Sequence, residues 1–378
     1  MIELNTNLST LKRSGIRVFT NLARQTPDCA MLTIGEPDFA TPQPIFRSAA
    51  EALREGQTHY APNQGTPGLR RAIAEFETRR GMPVSDSQVL VTVGATGALF
   101  TALMGILNPG EEVVIPTPAF SLYETIVTAV GGKPVALDLT KTGFQITPEA
   151  LSAVITPKTK AIVLNSPNNP TGTVLSEESL AAVKNAVLGK PIFVLCDNVY
   201  NQLVYGNCPD LSLDGQLREQ LLLIQSFSKP YAMTGWRIGY LVCPEYVMDR
   251  LLLLSAAEIA AVPTFIQDAA ETALRQSPEV FRAEYRNRRD YVCRRLDAMG
   301  LSYPKPMGAF YVFPDIRPYG MDSETFCTRL IREGKLAAVP GSCFGTDGFI
   351  RLSYCYAREE LERGMNRLEG FLQTLGGR

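Results

Sequence analysis

The sequence predicts an α/β protein carrying a second, smaller α+β unit. Between residues 45 and 280, short apolar β-rich runs alternate with helix-forming segments, the pattern of a sheet covered by helices. From about residue 280 the character changes to charged helix, strand, helix, strand and a final amphipathic helix. At 378 residues and 45% hydrophobic content the chain exceeds one ordinary core and can bury two. The expected division is an N-terminal arm over 1–44 that joins the small unit, a large domain over 45–280 and a small C-terminal domain over 281–378.

Composition narrows the function. A formal charge of -1, from 37 basic and 38 acidic residues, gives no electrostatic reason for a nucleic acid or an anionic membrane as partner, so the expected ligand is a small molecule. The cysteines at 29, 196, 208, 243, 293, 327, 343 and 355 have no CxxC spacing and fall in apolar runs. They read as reduced thiols, neither a disulfide frame nor a zinc site. His59 is the single histidine, which argues against a histidine-built metal site, and no metal is expected. The first 25 residues lack the apolar core of a signal peptide, and no run approaches the roughly 18 apolar residues of a membrane helix. The expected location is the cytoplasm.

Taken in order, Ile16, Phe19, Leu22 and Ala23 form the apolar stripe of a short helix that could dock on a partner subunit. Met31 to Phe39 reads as a strand broken into a turn by Gly35 and Pro37. A helix over Pro44 to Arg54 leads to the Pro/Gly-rich loop of Tyr60. Val89 to Val93, then Gly94-Ala95-Thr96 and helix formers, make a strand, tight turn and helix N-terminus, where free N–H groups and the helix dipole suit an anion. The turn is not GxGxxG, and GxxxxGK[ST] is absent, which removes the main support for dinucleotide or nucleoside-triphosphate binding. Val113 to Ile115 is a short strand followed by Phe120 and Tyr123. Ala161 to Asn165 runs into the Ser166-Pro-Asn-Asn-Pro-Thr-Gly172 turn. Ile192 to Cys196 ends in Asp197, an acid at a strand mouth that needs a cation or several donors, with Tyr200 three residues on.

The focus is Lys229. The buried strand Leu221 to Ile224 delivers it between Ser226, Ser228 and Gly235, with Arg237 following. An amine at such a place, partly desolvated and near another cation, has a lowered pKa and becomes a nucleophile toward carbonyls, so Schiff-base chemistry is its natural use. Two hydroxyls and a fixed cation within one segment also suit a phosphate dianion. Further on, helices over Arg250 to Pro263, Arg282 to Arg295 and Ser323 to Glu333 alternate with strands over Gly308 to Pro314 and Phe349 to Tyr354. Leu361, Met365, Leu368, Leu372 and Leu375 mark the last helix. Arg351 stands in an apolar strand, where its fork can hold a carboxylate with an ionic hydrogen bond adding roughly 1.5 to 3 kcal/mol.

The stretch Ser226-Phe-Ser-Lys-Pro-Tyr-Ala-Met-Thr-Gly-Trp-Arg237, together with Asp197-Asn-Val-Tyr200 and Asn168-Asn-Pro-Thr-Gly172, resembles pyridoxal-phosphate-dependent aminotransferases of the class I/II superfamily. The resemblance runs from Ile34 to Tyr354. It implies fold type I, with a mixed, mostly parallel central sheet, helices on both faces and a smaller α+β domain. It implies that Lys229 carries pyridoxal 5'-phosphate in covalent linkage, while Gly94, Ala95, Thr96, Ser226, Ser228 and Arg237 hold the phosphate. Phe120 would stack on the ring, Asn169 and Tyr200 would bond its oxygen, and Asp197 would pair with its protonated nitrogen. Tyr60 would reach the phosphate of the other subunit, making a homodimer with shared sites. Gly35, Asn169 and Arg351 would bind the amino acid, Arg351 through the α-carboxylate. Asn198 departs from the acidic residue of many relatives, which puts a neighbouring structural hydrogen bond in doubt.

The expected function is transfer of an amino group from an L-amino acid to a 2-oxo acid such as 2-oxoglutarate, by a ping-pong mechanism. The expected donor is neutral or aromatic, because Thr96 supplies no cation for a second carboxylate and Phe39, Phe120 and Tyr123 could line an apolar pocket. A carbon–sulfur β-lyase would use every residue named, and a non-catalytic cofactor-sensing module is the alternative of another class.

Overall fold

The computed structural model describes residues 5–11 and 15–376; Met1 to Leu4 and 12–14 of the expected arm, and the last two residues of the expected C-terminal domain, lie outside it. In chain order the strands are β1 (Ala30–Met31), β2 (Val89–Thr92), β3 (Glu112–Thr117), β4 (Lys133–Asp138), β5 (Thr159–Asn165), β6 (Phe193–Asp197), β7 (Leu221–Ser226), β8 (Gly239–Val242), β9 (Tyr311–Val312), β10 (Leu336–Ala337), β11 (Val339–Pro340) and β12 (Ile350–Ser353).

Seven of them form one sheet in the order β2-β8-β7-β6-β5-β3-β4. Every neighbouring pair is parallel except those made by β8, which runs against both β2 and β7. This is the mixed, mostly parallel sheet that the resemblance implies. Both faces are buried, which explains why the strands read as unbroken apolar runs. Successive residues feed opposite cores: Val89, Val91, Ile162, Val194 and Leu221 pack into one, and Leu90, Ala161, Val163, Leu195 and Leu222 into the other. The helix Gly94–Ile106 covers the second face and Pro67–Arg80 the first, the latter started by the Thr66 side chain accepting from the Leu69 amide and closed by left-handed Gly81.

A third core gathers Phe310, Tyr311, Leu330, Leu352, Leu361 and Leu368 with Phe19, Ala23, Ala30 and Leu32. Its strands are short: β11-β12-β9 make one antiparallel sheet, and β1 pairs in parallel with β10. The stripe of the helix Gly15–Arg24 therefore packs on this chain's own residues, Ile16 against the cluster of Phe313 and Phe344, and is not the free docking surface the sequence suggested. The strand expected over Met31 to Phe39 stops at Met31, because the Thr33 carbonyl and the Ile34 amide are taken by the side chains of Arg351 and Tyr356 instead of a neighbouring strand, and Gly308 to Pro314 contracts to two residues. The helix expected over Arg250 to Pro263 starts earlier, as Glu245–Ile259, and the last one spans Arg358–Thr374. Among the described residues no helix is long and apolar enough to cross a membrane.

Candidate active site

Functional side chains collect where the parallel strands end. β2 leads to Gly94, β3 to Phe120, β5 to Asn169, β6 to Asp197 and Tyr200, and β7 to Lys229, while β8 starts just after Arg237. The carboxyl edge of an open α/β sheet is where such folds place ligands, since helix N-termini and loops open there. From the small unit, Arg351 on β12 and the 33–35 segment face the same place, as their hydrogen bonds to Asn169 and Lys229 demonstrate.

Lys229 is half-buried, and its Nζ donates to the Gly35 carbonyl at 2.6 Å. Loss of hydration pushes its pKa down to about 8, with Arg237 and Arg351 acting in the same direction and Cys355 and Glu36 opposing. Asp197 is 4% exposed. Its Oδ2 accepts from Tyr123 Oη at 2.6 Å and its Oδ1 from the Val199 amide at 3.4 Å. Burial pushes its pKa up to about 6 in spite of these two bonds. No ion pair involving Asp197 occurs among the described residues, so a cation set against it would be strongly held.

Around the Gly94 turn the backbone is crowded for a purpose the packing explains. Gly94 has φ +66°, and a Cβ there would meet the Arg237 guanidinium at 2.9 Å; a Cβ on Gly239 would meet the Gly94 carbonyl carbon at 2.8 Å and the Ala95 amide nitrogen at 3.0 Å. Arg237 thus lies over the first turn of the helix that begins Gly94-Ala95-Thr96, whose leading amides have no intrahelical acceptor. Ser226 Oγ accepts from the Ser228 amide at 3.0 Å, placing both serines beside this turn through the β7–β8 pairing of Ser226 with Gly239. Amides, hydroxyls and one exposed guanidinium form an anion cradle.

Arg351 is 2% exposed and has no acidic partner among the described residues. Nη1 donates to Asn169 Oδ1 at 2.8 Å, Nη2 to the Thr33 carbonyl, and Nε is buried without a partner. Asn169 is fixed in turn by its amide donating to Asn165 Oδ1, while Asn165 Nδ2 donates to the Asp197 carbonyl, both at 2.9 Å.

Of the residues singled out by sequence, Gly35, Gly94, Ala95, Thr96, Phe120, Asn169, Asp197, Tyr200, Ser226, Ser228, Lys229, Arg237 and Arg351 lie along this edge. Tyr60 does not join them: it is 92% exposed. Two pocket assignments are corrected. Tyr123 is buried on Asp197, its ring edge-on to Phe120, and Phe39 stacks on Phe281 at 4.6 Å in the small unit. Asn198 replaces any lost bond by donating to both oxygens of Asp210 at 3.0 Å, and Asp210 also holds Arg80 at 3.1 Å. Tyr311, which the sequence reading passed over, meets Tyr200 Oη at 2.9 Å; its only signal was an aromatic within an expected strand.

The donor set fits pyridoxal 5'-phosphate. A buried carboxylate without a cation suits a protonated ring nitrogen, the Gly94 cradle suits the phosphate, and an amine with lowered pKa suits an aldehyde.

Comparisons with known proteins agree. Residues 27–368 match the family model described as aminotransferase class I and II. The chain is 39% identical over 376 residues to a probable N-acetyl-LL-diaminopimelate aminotransferase of Bacillus subtilis, covering 98% of this chain and 95% of the relative. It is 40% identical over 385 residues to aromatic-amino-acid aminotransferase 2 of Thermococcus litoralis, covering 98% and 99%. The structure of the Thermus thermophilus aspartate aminotransferase with maleate superposes with a TM-score of 0.93 at 36% identity, covering 98% of this chain and 100% of that one. The lyase and sensor alternatives are not favoured, because the relatives carry aminotransferase names. This chain belongs to the class I and II aminotransferase family and is a pyridoxal-phosphate-dependent aminotransferase of fold type I.

Proposed function

We propose that the residues at this sheet edge divide the work as follows, in a ping-pong transfer from a neutral or aromatic L-amino acid to a 2-oxo acid such as 2-oxoglutarate. The observation that carries it is Arg351, a buried guanidinium with an unpartnered Nε and, among the described residues, no carboxylate to face. It binds the α-carboxylate of the donor, with Asn169 holding one arm of the fork and the Gly35 segment closing over it. The bound cofactor supplies an electron sink that makes the α-proton of the donor removable. Lys229 Nζ, with its pKa lowered to about 8, takes that proton from the α-carbon and returns it one position away. Asp197 stays anionic against the ring nitrogen and Tyr123 holds its orientation. Tyr200 donates toward the ring oxygen, Phe120 supplies a face for stacking, and Gly94, Ala95, Thr96, Ser226, Ser228 and Arg237 bind the phosphate.

Donor preference rests on Thr96, which offers no charge to a second carboxylate, and is supported by the aromatic activity named for the Thermococcus relative. The exposure of Tyr60 supports a homodimer in which it reaches the partner's phosphate cradle, and eight free thiols support a cytoplasmic location. The pairing of β1 with β10 supports the division into a large domain over 45–280 and a small one built from 1–44 and 281–378. Borohydride reduction followed by peptide mapping tests the central assignment. A label on Lys229 is expected, and a label elsewhere or none overturns it. A donor panel followed as single-turnover conversion to the pyridoxamine form tests the preference; faster conversion with aspartate than with any neutral or aromatic donor would refute it.

A further inference from the structure

We infer that Tyr311 is a positioning residue of this site: its hydroxyl donates to Tyr200 Oη, so that the Tyr200 proton is turned toward the cofactor ring oxygen. The inference rests on the assignment of Tyr200 above and adds a residue to it.

Tyr311 sits on β9 directly opposite Ser353 of β12, which puts it on the same face as Arg351 two residues earlier. The Arg351 guanidinium lies 4.5 Å above its ring centroid, and the Tyr200 ring stands nearly perpendicular to it at 5.8 Å. The two hydroxyls are 2.9 Å apart and buried, and each carries a single hydrogen. Tyr311 Oη has no other hydrogen-bond partner among the described residues, so its proton is satisfied only when Tyr200 is the acceptor. Tyr200 then keeps its own proton for a ligand at the end of β6.

The placement of this hydroxyl is enforced by absent side chains. A Cβ on Gly35 would fall 1.8 Å from Tyr311 Oη, and a Cβ on Gly172 would fall 2.6 Å from the Tyr311 carbonyl oxygen. Gly35 is also the residue whose carbonyl receives Lys229 Nζ, so one glycine admits the phenol and anchors the amine. The charged and titratable groups facing the pair are Arg351 and Cys355 toward Tyr311, and Arg351 and Asp197 toward Tyr200; Lys229 is faced by Cys355, Glu36, Arg237 and Arg351. Burial pushes the Tyr311 pKa up to about 12 and the Tyr200 pKa well above its ordinary value, so both remain protonated donors in the working range.

A phenol that accepts a hydrogen bond is a better donor through its own proton. Tyr311 therefore strengthens the bond from Tyr200 to the ring oxygen, favours that oxygen as an anion, and lowers the pH at which the lysine–cofactor linkage gives up its proton. The test is the pH titration of the visible absorption band of the holoenzyme, without substrate, for wild type, Y311F, Y200F and the double variant. Phenylalanine keeps the ring beneath Arg351 and removes only the donor. The midpoint of Y311F is expected to rise by about half a pH unit, that of Y200F to rise further, and that of Y200F/Y311F to equal Y200F. An unchanged midpoint in Y311F overturns the inference, as does a double variant whose shift is the sum of the two singles. A wild-type protein with no pH-dependent visible band would overturn the Tyr200 assignment and the inference with it.

Discussion

Replacing Asp197 with asparagine should have opposite effects on stability and on activity. The Asp197 carboxyl is raised from 3.8 to about 6 by burial, which at about 1.4 kcal/mol per unit amounts to about 3 kcal/mol. Because the folded-state pKa is the higher one, the folded protein holds this proton more tightly than the unfolded chain. The associated stability is fully present below pH 3.8, is lost as pH rises toward about 6, and stays lost above it. At pH 8 the cofactor-free protein thus bears the whole cost of a buried anion, relieved only by Tyr123 and the Val199 amide. An amide of the same shape carries no charge. D197N without cofactor should be more stable than wild type by up to about 3 kcal/mol at pH 8, and the gap should narrow at pH 5. Turnover of the reconstituted enzyme should fall at the same time, because the ring nitrogen loses its anion. Urea unfolding of both cofactor-free proteins at the two pH values measures the first effect. Equal stability at pH 8, or a gap that widens toward pH 5, would refute the reasoning.

Tyr123→Phe removes a charge-assisted bond of roughly 1.5 to 3 kcal/mol from Asp197, so the carboxyl should titrate roughly one to two units higher in infrared spectra of the cofactor-free protein; no movement would show that Tyr123 is mere filling. Arg351→Met should raise the KM of the amino donor about 10- to 100-fold, with a smaller change in kcat, and steady-state kinetics with an unchanged KM would contradict the carboxylate assignment. Asn198→Asp sets a carboxylate against Asp210, and denaturant unfolding at pH 7 should show a loss of roughly 1 to 3 kcal/mol that adding D210N partly restores. Reaction of the cofactor-free Lys229 amine with an aldehyde should rise with a midpoint near its lowered pKa of about 8; a midpoint above 10 would mean the amine is hydrated.

The central sheet was legible because burial on both faces leaves β5, β6 and β7 as unbroken apolar runs ending in polar residues. β4 shows no apolar run because all but one of its six residues are at least partly exposed, with Lys133 and Asp138 at its ends. The small sheet was blurred for a different reason: two-residue strands carry no periodicity, and their positions follow from packing around Phe310 and Leu352. In the site, Lys229 and Asp197 stood out because a charged residue at the end of an apolar strand is costly without a use. Tyr123 could not be read as the partner of Asp197, 74 positions away, nor Tyr311 as that of Tyr200, 111 positions away, since hydrogen bonds between phenols and distant groups leave no spacing in the chain. Phe39 was misplaced by the same limit: the stack with Phe281 competes for it, and only the folded chain reveals the competitor.

The carbonyl oxygens of Thr33 and Gly35 each receive one of the two decisive cations, Arg351 and Lys229. Main-chain oxygens are untouched by side-chain exchange, so an alanine scan across this ribbon would report steric effects and miss its electrostatic one. Swapping the two peptide linkages for esters would weaken both acceptors while leaving every side chain in place. Evolution can likewise vary residue 33 without surrendering the acceptor, whereas residue 35 is held by the neighbouring phenol.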